Sequence, residues 1–323
     1  MKWKVLFWIL AAVLLLPLVN LVIGIRPPTF ETGDDPSRYG LQYEEVSFTT
    51  MDGVTLRGWF IPATPGTVDL HEEGQAAGCA TILVGHGYPF DKANVLIHAL
   101  FLRRRFNLLL FDFRYFGESD GAFTTVGLLE RQDVEAAVAY LKQRADVGHG
   151  RIGALGFSMS AATFILAEHP DIQAIVADSP YAALESLIAR QFAFFPGPTK
   201  WPFVALTKLY AFVFLGVSIG DAVPAESMKR LTTPTLIIHG DADSQIPVEH
   251  AREIQANANP ETTQFWIVPG ADHGLAHAFT GPEYEHRVTR FFDQHLCEEP
   301  PIPESQVPEQ PADPPAGTAQ SKT

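Results

Sequence analysis

The sequence predicts an α/β fold: a mostly parallel central sheet with helices on both faces and an inserted helical cap. Three observations predict it. Short, continuous apolar runs alternate with helix-like segments through the middle of the chain, the pattern of strands buried on both faces of a sheet. The first two strand-like runs, VSFTT and VTLRGWFI, flank Met51-Asp52-Gly53, a hairpin turn that adds an antiparallel edge. One strand-to-strand interval, 181–230, is about 50 residues long, where roughly 10–20 would serve a simple crossover.

The elements follow in chain order. Residues 5–25, VLFWILAAVLLLPLVNLVIGI, are almost unbroken in apolar character. A helix of that length reaches roughly 30 Å, the thickness of a bilayer core. Lys2 and Lys4 precede the run and only Arg26 directly follows it. The positive-inside rule then keeps the N-terminus in the cytoplasm and sends the remainder across. A cleaved signal peptide is the rival, but its apolar region would be about 7–15 residues with an A-x-A-like site. The best site here is the poor Val22-Ile23-Gly24. The expectation is a single-pass membrane anchor over 1–26, a Pro- and Gly-containing linker over 27–40, and an extracytoplasmic domain over 41–297. From 298 to 323 the chain carries many prolines and no aromatic residue, which predicts a disordered tail.

Within the domain the expected strands are 80–85, 107–113, 151–157, 172–178, 235–240 and 264–268. Helix-like segments lie near 92–104, 128–145, 159–168, 248–257 and 282–296. The long interval carries Phe192, Phe194, Phe195, Trp201, Phe203, Phe212 and Phe214 and reads as the cap. The formal net charge of −14 makes nucleic acid a poor partner, since phosphate binding needs basic patches. Cys79 and Cys297 have no metal-site spacing. They read as two ordinary thiols, with one disulfide open in an oxidising compartment. The histidines form no metal-ligand pattern, and no Gly-rich phosphate loop is present, so no metal and no cofactor are expected.

Chemistry concentrates at the strand ends. Gly156-Phe157-Ser158-Met159-Ser160 follows one strand and opens a helix, the setting in which G-x-S-x-G forms a nucleophile elbow. The flanking positions must be small, and Ser160 replaces the final glycine. His239-Gly240 ends a later strand, and its loop carries Asp241 and Asp243. The last strand runs into Gly270-Ala271-Asp272-His273-Gly274. The order Ser158, Asp243, His273 suits serine catalysis: imidazole takes the hydroxyl proton, and a buried carboxylate fixes its tautomer. Gly85-His86-Gly87-Tyr88, at the end of the first parallel strand, places the Tyr88 N–H for an oxyanion hole beside that of Met159. His86 reads as structural.

Together, GHGY (85–88), FDFRYFGESDG (111–121), GFSMS (156–160), DSPY (178–181), HGDADSQIP (239–247) and GADHG (270–274) resemble the membrane-anchored α/β-hydrolases of the serine-aminopeptidase and monoglyceride-lipase-like group. The bud-emergence-type hydrolases and their bacterial counterparts are similar. The resemblance covers roughly 40–296 and implies the α/β-hydrolase fold. It also implies that the acid lies three residues before Ile246 of the Ile246-Pro247 pair, which is Asp243 and not Asp241. The loop of Asp112, Arg114 and Ser119 is implied to buttress the site.

The expected function is hydrolysis of an ester, thioester or amide through an acyl-enzyme on a small-molecule or lipid acyl substrate. Phe192, Phe194, Phe195 and Trp201 are the expected substrate-binding residues. An aminopeptidase would need cap carboxylates for a substrate amine, and Glu185, Asp221 and Glu226 are the only acids there. A non-catalytic binding module at a membrane surface is the remaining alternative.

Overall fold

The sheet begins with the expected hairpin, β1 (Glu44–Thr49) against β2 (Thr55–Ile61), closed so that Thr49 faces Thr55. This is a computed structural model, and it describes residues 2–64, 78–144, 147 and 150–297. The disordered tail expected over 298–323 lies outside the described residues. Six parallel strands follow: β3 (Thr81–Gly85), β4 (Asn107–Phe111), β5 (Ile152–Phe157), β6 (Ile172–Asp178), β7 (Thr235–Gly240) and β8 (Thr263–Val268). Their order across the sheet is β1-β2-β4-β3-β5-β6-β7-β8, with β2 antiparallel to β4. The chain therefore has the α/β-hydrolase fold, a mixed and mostly parallel sheet flanked by helices.

β3, β4 and β5 are buried along their whole length, which explains their unbroken apolar character. Two cores result, one on each face. On one, α3 (Glu130–Gln143) and α4 (Met159–Ala167) bring Val134, Val138, Leu141, Phe164 and Ile165 against Leu83, Leu109 and Phe111. On the other, α2 (Lys92–Ala99) and α10 (Pro282–Leu296), which follows α8 (Glu249–Asn257) and α9 (Ala276–Thr280), bring Leu96, Val288 and Phe292 against Ile82, Leu108 and Leu110. The C-terminal ends of β3, β5, β6, β7 and β8 lie along one edge, the edge at which open α/β sheets bind ligands.

Cys79 and Cys297 are bridged as a disulfide across 218 positions, instead of standing as two thiols. The bridge joins the start of β3 to the end of α10.

Between β6 and β7 lie α5 (Leu184–Gln191), α6 (Trp201–Leu215) and α7 (Pro224–Ser227), covering the site edge. The N-terminal helix α1 (Lys2–Ile25) packs beside α6, where Tyr210 Oη donates to the Leu14 carbonyl at 3.1 Å. Within it, Leu6–Ile25 is long and apolar enough to cross a membrane, by length and composition. A signal sequence would pass the same test.

Candidate active site

Ser158 sits between β5 and α4 at φ 54° and ψ −107°. A positive φ is costly for a residue with a side chain and is held only when the surroundings enforce it. Here the Ser158 N–H donates to Asp178 O at 2.8 Å, and the Ser158 carbonyl accepts from Ala162 N at 3.1 Å. A Cβ at Gly156 would lie 2.5 Å from Ala161 N, so that flank of the elbow admits only glycine. Ser160, the departure from the motif, is used: its hydroxyl accepts from Phe157 N at 2.8 Å and donates to Phe157 O at 3.1 Å. Room for it comes from Gly85 on β3, where an added Cβ would approach the Ser160 Cβ to 2.5 Å.

The structure brings the three sequence-selected polar residues together. His273 Nε2 accepts from Ser158 Oγ at 2.9 Å, and His273 Nδ1 donates to Asp243 Oδ2 at 2.7 Å. The hydrogen positions follow from the network. Asp243 Oδ1 accepts from the backbone N–H groups of Gln245 and Ile246 at 2.9 and 2.7 Å, so the buried carboxylate is held by its own loop. Asp241 serves differently, accepting from Gly270 N at 2.6 Å and tying the β7 loop to the β8 loop. Asp272 Oδ1 accepts from His273 N and from Ser244 N, which fixes the backbone beneath His273 and holds its own carboxyl below the usual range.

Tyr88 lines the same cavity as Ser158, Met159 and His273. Among the described residues, neither the Tyr88 N–H nor the Met159 N–H donates to a protein acceptor, so both can serve a ligand oxygen. His86 is buried, accepting from Phe113 N at 3.0 Å on Nε2. Asp112 is buried and accepts from Lys92 N and Lys92 Nζ, each at 2.7 Å. Arg114 bridges Asp52 and Asp133, and Ser119 Oγ donates to Asp112 O at 2.6 Å. Through Phe113 N on His86 Nε2 the loop is tied to the segment that carries Tyr88.

The cavity has a volume of about 380 Å³. Its apolar walls come from Leu128, Leu184, Leu187, Ile188, Leu215 and Ile219. The four expected aromatics do not line it. Phe192 is buried against Phe203 with ring centroids 5.5 Å apart, and Phe195 stacks on Phe203 at 4.2 Å. Phe194 and Trp201 are largely exposed. These rings pack against one another or point outward, and smaller aliphatic residues form the wall instead.

Two buried acids support the site, and Glu130 is one that the sequence patterns do not single out. Glu130 is fully buried, and its carboxylate accepts from Thr124 Oγ1, Thr125 N, Thr125 Oγ1 and Gly127 N at 2.6–2.8 Å. It thereby sets the loop that contributes Thr125, Val126 and Leu128 to the cavity. An acid three residues after a glycine, opening a helix, is the sequence signal that could have found it.

Asp178 is also fully buried, accepting from Ser179 Oγ at 2.9 Å and Tyr284 Oη at 3.1 Å. Burial pushes its carboxyl up to about 6 from 3.8. The folded state then holds the proton more tightly than the unfolded chain, so this group's contribution to stability falls as pH rises from 3.8 to about 6. Asp178→Asn keeps both partners and is expected to raise stability at pH 7 relative to pH 4, by on the order of 2–3 kcal/mol. Urea unfolding of both proteins at the two pH values checks this, and an unchanged difference between them would count against it.

Residues 124–299 match the prolyl oligopeptidase family, and residues 37–208 match the X-Pro dipeptidyl-peptidase (S15) family. The chain belongs to the serine-peptidase families of the α/β-hydrolase fold. It is 30% identical over 296 residues to the uncharacterized protein YfhR of Salmonella typhi, covering 86% of this chain and 88% of that one. The α/β-hydrolase domain-containing protein WAV2 of Arabidopsis thaliana is 23% identical over 273 residues, covering 81% and 82%. Among solved structures, the Pyrococcus furiosus esterase Pf2001 is similar at a TM-score of 0.66 and 28% identity, covering 84% of this chain and 100% of that one. Family membership makes the chain a serine-hydrolase type of enzyme without distinguishing ester from amide substrates.

Proposed function

We propose that the protein hydrolyses an acyl bond through an acyl-enzyme on Ser158. The observation that carries this reading is the hydrogen-bonded chain Ser158–His273–Asp243 at one cavity. Ser158 Oγ attacks the substrate carbonyl while its proton passes to His273 Nε2. The Tyr88 and Met159 N–H groups receive the oxyanion. Collapse expels the leaving group, which takes the proton from His273. Water then attacks the acyl-enzyme by the same route, with His273 as base. Asp243 holds the imidazole with Nδ1 protonated and stabilises the imidazolium. No step requires a metal or cofactor.

Two readings of the leaving group remain in play. The match to two peptidase families supports the amide reading, and the likeness to an esterase at 28% identity supports the ester reading. The cavity lining argues against a free amino terminus on the acyl side: among the described residues it contains no Asp or Glu, while Arg190 lies at its edge. An uncharged, apolar acyl group fits best, carried on an ester or on an amide. A membrane location follows from the same reading, with α1 as a single-pass anchor and the hydrolase domain outside. The membrane-length helix and the Cys79–Cys297 bridge, which needs an oxidising compartment, support it.

A fluorophosphonate should attach to the full-length protein at Ser158 and nowhere else, as read by peptide mass spectrometry. A panel of p-nitrophenyl esters beside N-acylated and free aminoacyl amides then separates the readings. Acyl chains should be preferred over free aminoacyl groups. Labelling at Ser160, or a preference for free aminoacyl amides, would overturn the assignment.

A further inference from the structure

The cavity has a wall that the hydrolase domain does not supply. Asn20, Leu21, Gly24 and Ile25 of α1 line it, together with Thr207, Ala211 and Leu215 of the neighbouring α6. Positions 20, 21, 24 and 25 share one face of a helix. The residues between them, Val22 and Ile23, are on the exposed side at 47% and 60%. The inward Leu21 belongs to the same apolar cluster as Leu128, Tyr181, Leu184 and Ile188.

This end of α1 is docked by hydrogen bonds. Thr124 N donates to Ile25 O at 2.9 Å, and Arg26 Nε donates to Ala122 O at 2.9 Å. Tyr115 Oη donates to Pro27 O at 2.8 Å. The Ile25 contact comes from the loop that Glu130 holds, so the wall and the cavity loop are set together.

Gly24 is the informative position. It stands in the last turn of α1, one residue before the helix ends at Ile25. A Cβ placed there would meet no atom within 4 Å, so no packing demand explains the glycine. It borders the cavity, and open space lies where a Cβ would stand.

We infer that the last two turns of α1 are part of the substrate site and set the length of the apolar acyl chain it accepts, with Gly24 leaving the slot open. This rests on Ser158 being the acylated residue. The membrane segment is then a component of the enzyme and remains attached to the mature protein. Gly24→Trp would carry an indole into that slot from a Cβ position that meets no protein atom within 4 Å.

The test compares labelling rates of full-length protein in detergent by short-alkyl and long-alkyl fluorophosphonates. Gly24→Trp should lower the long-to-short ratio by about tenfold or more, the equivalent of losing a few methylenes of burial. Val22→Trp, on the exposed side, should leave the ratio within about twofold of the parent. An unchanged ratio in Gly24→Trp overturns the inference, as does an equal fall in Val22→Trp. If Ser158 takes no label at all, the acyl-enzyme reading fails separately. Binding of a fluorescent long-chain fatty acid to Ser158→Ala protein then decides the wall: weaker binding on adding Gly24→Trp upholds it, and unchanged binding overturns it.

Discussion

Asp243→Asn is expected to lower kcat by about three to four orders of magnitude while leaving the fold in place. The variant's amide oxygen can keep the two backbone donors, Gln245 N and Ile246 N, which now reach Asp243 Oδ1. Its NH₂ then replaces the oxygen that accepts from His273 Nδ1. Two donors would face each other, and His273 would shift its proton to Nε2. That nitrogen now accepts from Ser158 Oγ, and once protonated it cannot take the hydroxyl proton. Asp241→Asn is the matched control. Its oxygen accepts only from Gly270 N among the described residues, which an amide oxygen can also do, so turnover should stay within about twofold. Turnover of one chromogenic ester by both variants measures the contrast. A large loss in Asp241→Asn with little in Asp243→Asn would move the acid to position 241.

Breaking the Cys79–Cys297 bridge should lower stability by a few kcal/mol, about 2–4. The bridge closes a loop spanning 218 positions and ties the central strand β3 to the terminal helix α10. Removing a bridge of this kind costs typically about 2–4 kcal/mol, largely by freeing the unfolded chain. The Cys79→Ser, Cys297→Ser double variant should show that loss in urea unfolding. Reduced wild-type protein should match it, because the same constraint is gone. A loss under about 0.5 kcal/mol would mean that α10 stays docked without the bridge. That docking has its own contacts, including Arg151 donating to Leu296 O at 2.6 Å and the buried Phe292 and Leu296.

The residues of the candidate triad were legible because each stands where a strand stops. β5, β7 and β8 end immediately before the loops of Ser158, Asp243 and His273, and the apolar runs mark those ends in the sequence. Glycine and proline in the loops give the punctuation. The cap was legible as an interval but not as a surface. α6 reads WPFVALTKLYAFVFL, apolar on nearly every side, so no periodicity tells which side chains turn inward. By type the sequence offers its aromatic residues to the substrate, while Leu184, Ile188 and Leu215 hold the wall by position. The disulfide and the α1 wall join residues far apart in the chain, and pairing across such distances leaves no local pattern.

The close approach of Gly85 and Ser160 orders the routes by which such a sequence can drift. A methyl group at position 85 would press on the Ser160 Cβ at 2.5 Å and on its Oγ at 2.8 Å, leaving Phe113 Cε2 at 3.1 Å as the next neighbour. Replacing Ser160 by glycine removes the first two obstacles together and leaves only a ring edge that can shift. Position 85 thus becomes free to vary only after position 160 has changed. Reversal is closed just as firmly, because a side chain acquired at 85 bars the return of serine at 160. The two sites form a ratchet: among descendants of a common ancestor, serine at 160 should travel with glycine at 85, while glycine at 160 tolerates either choice.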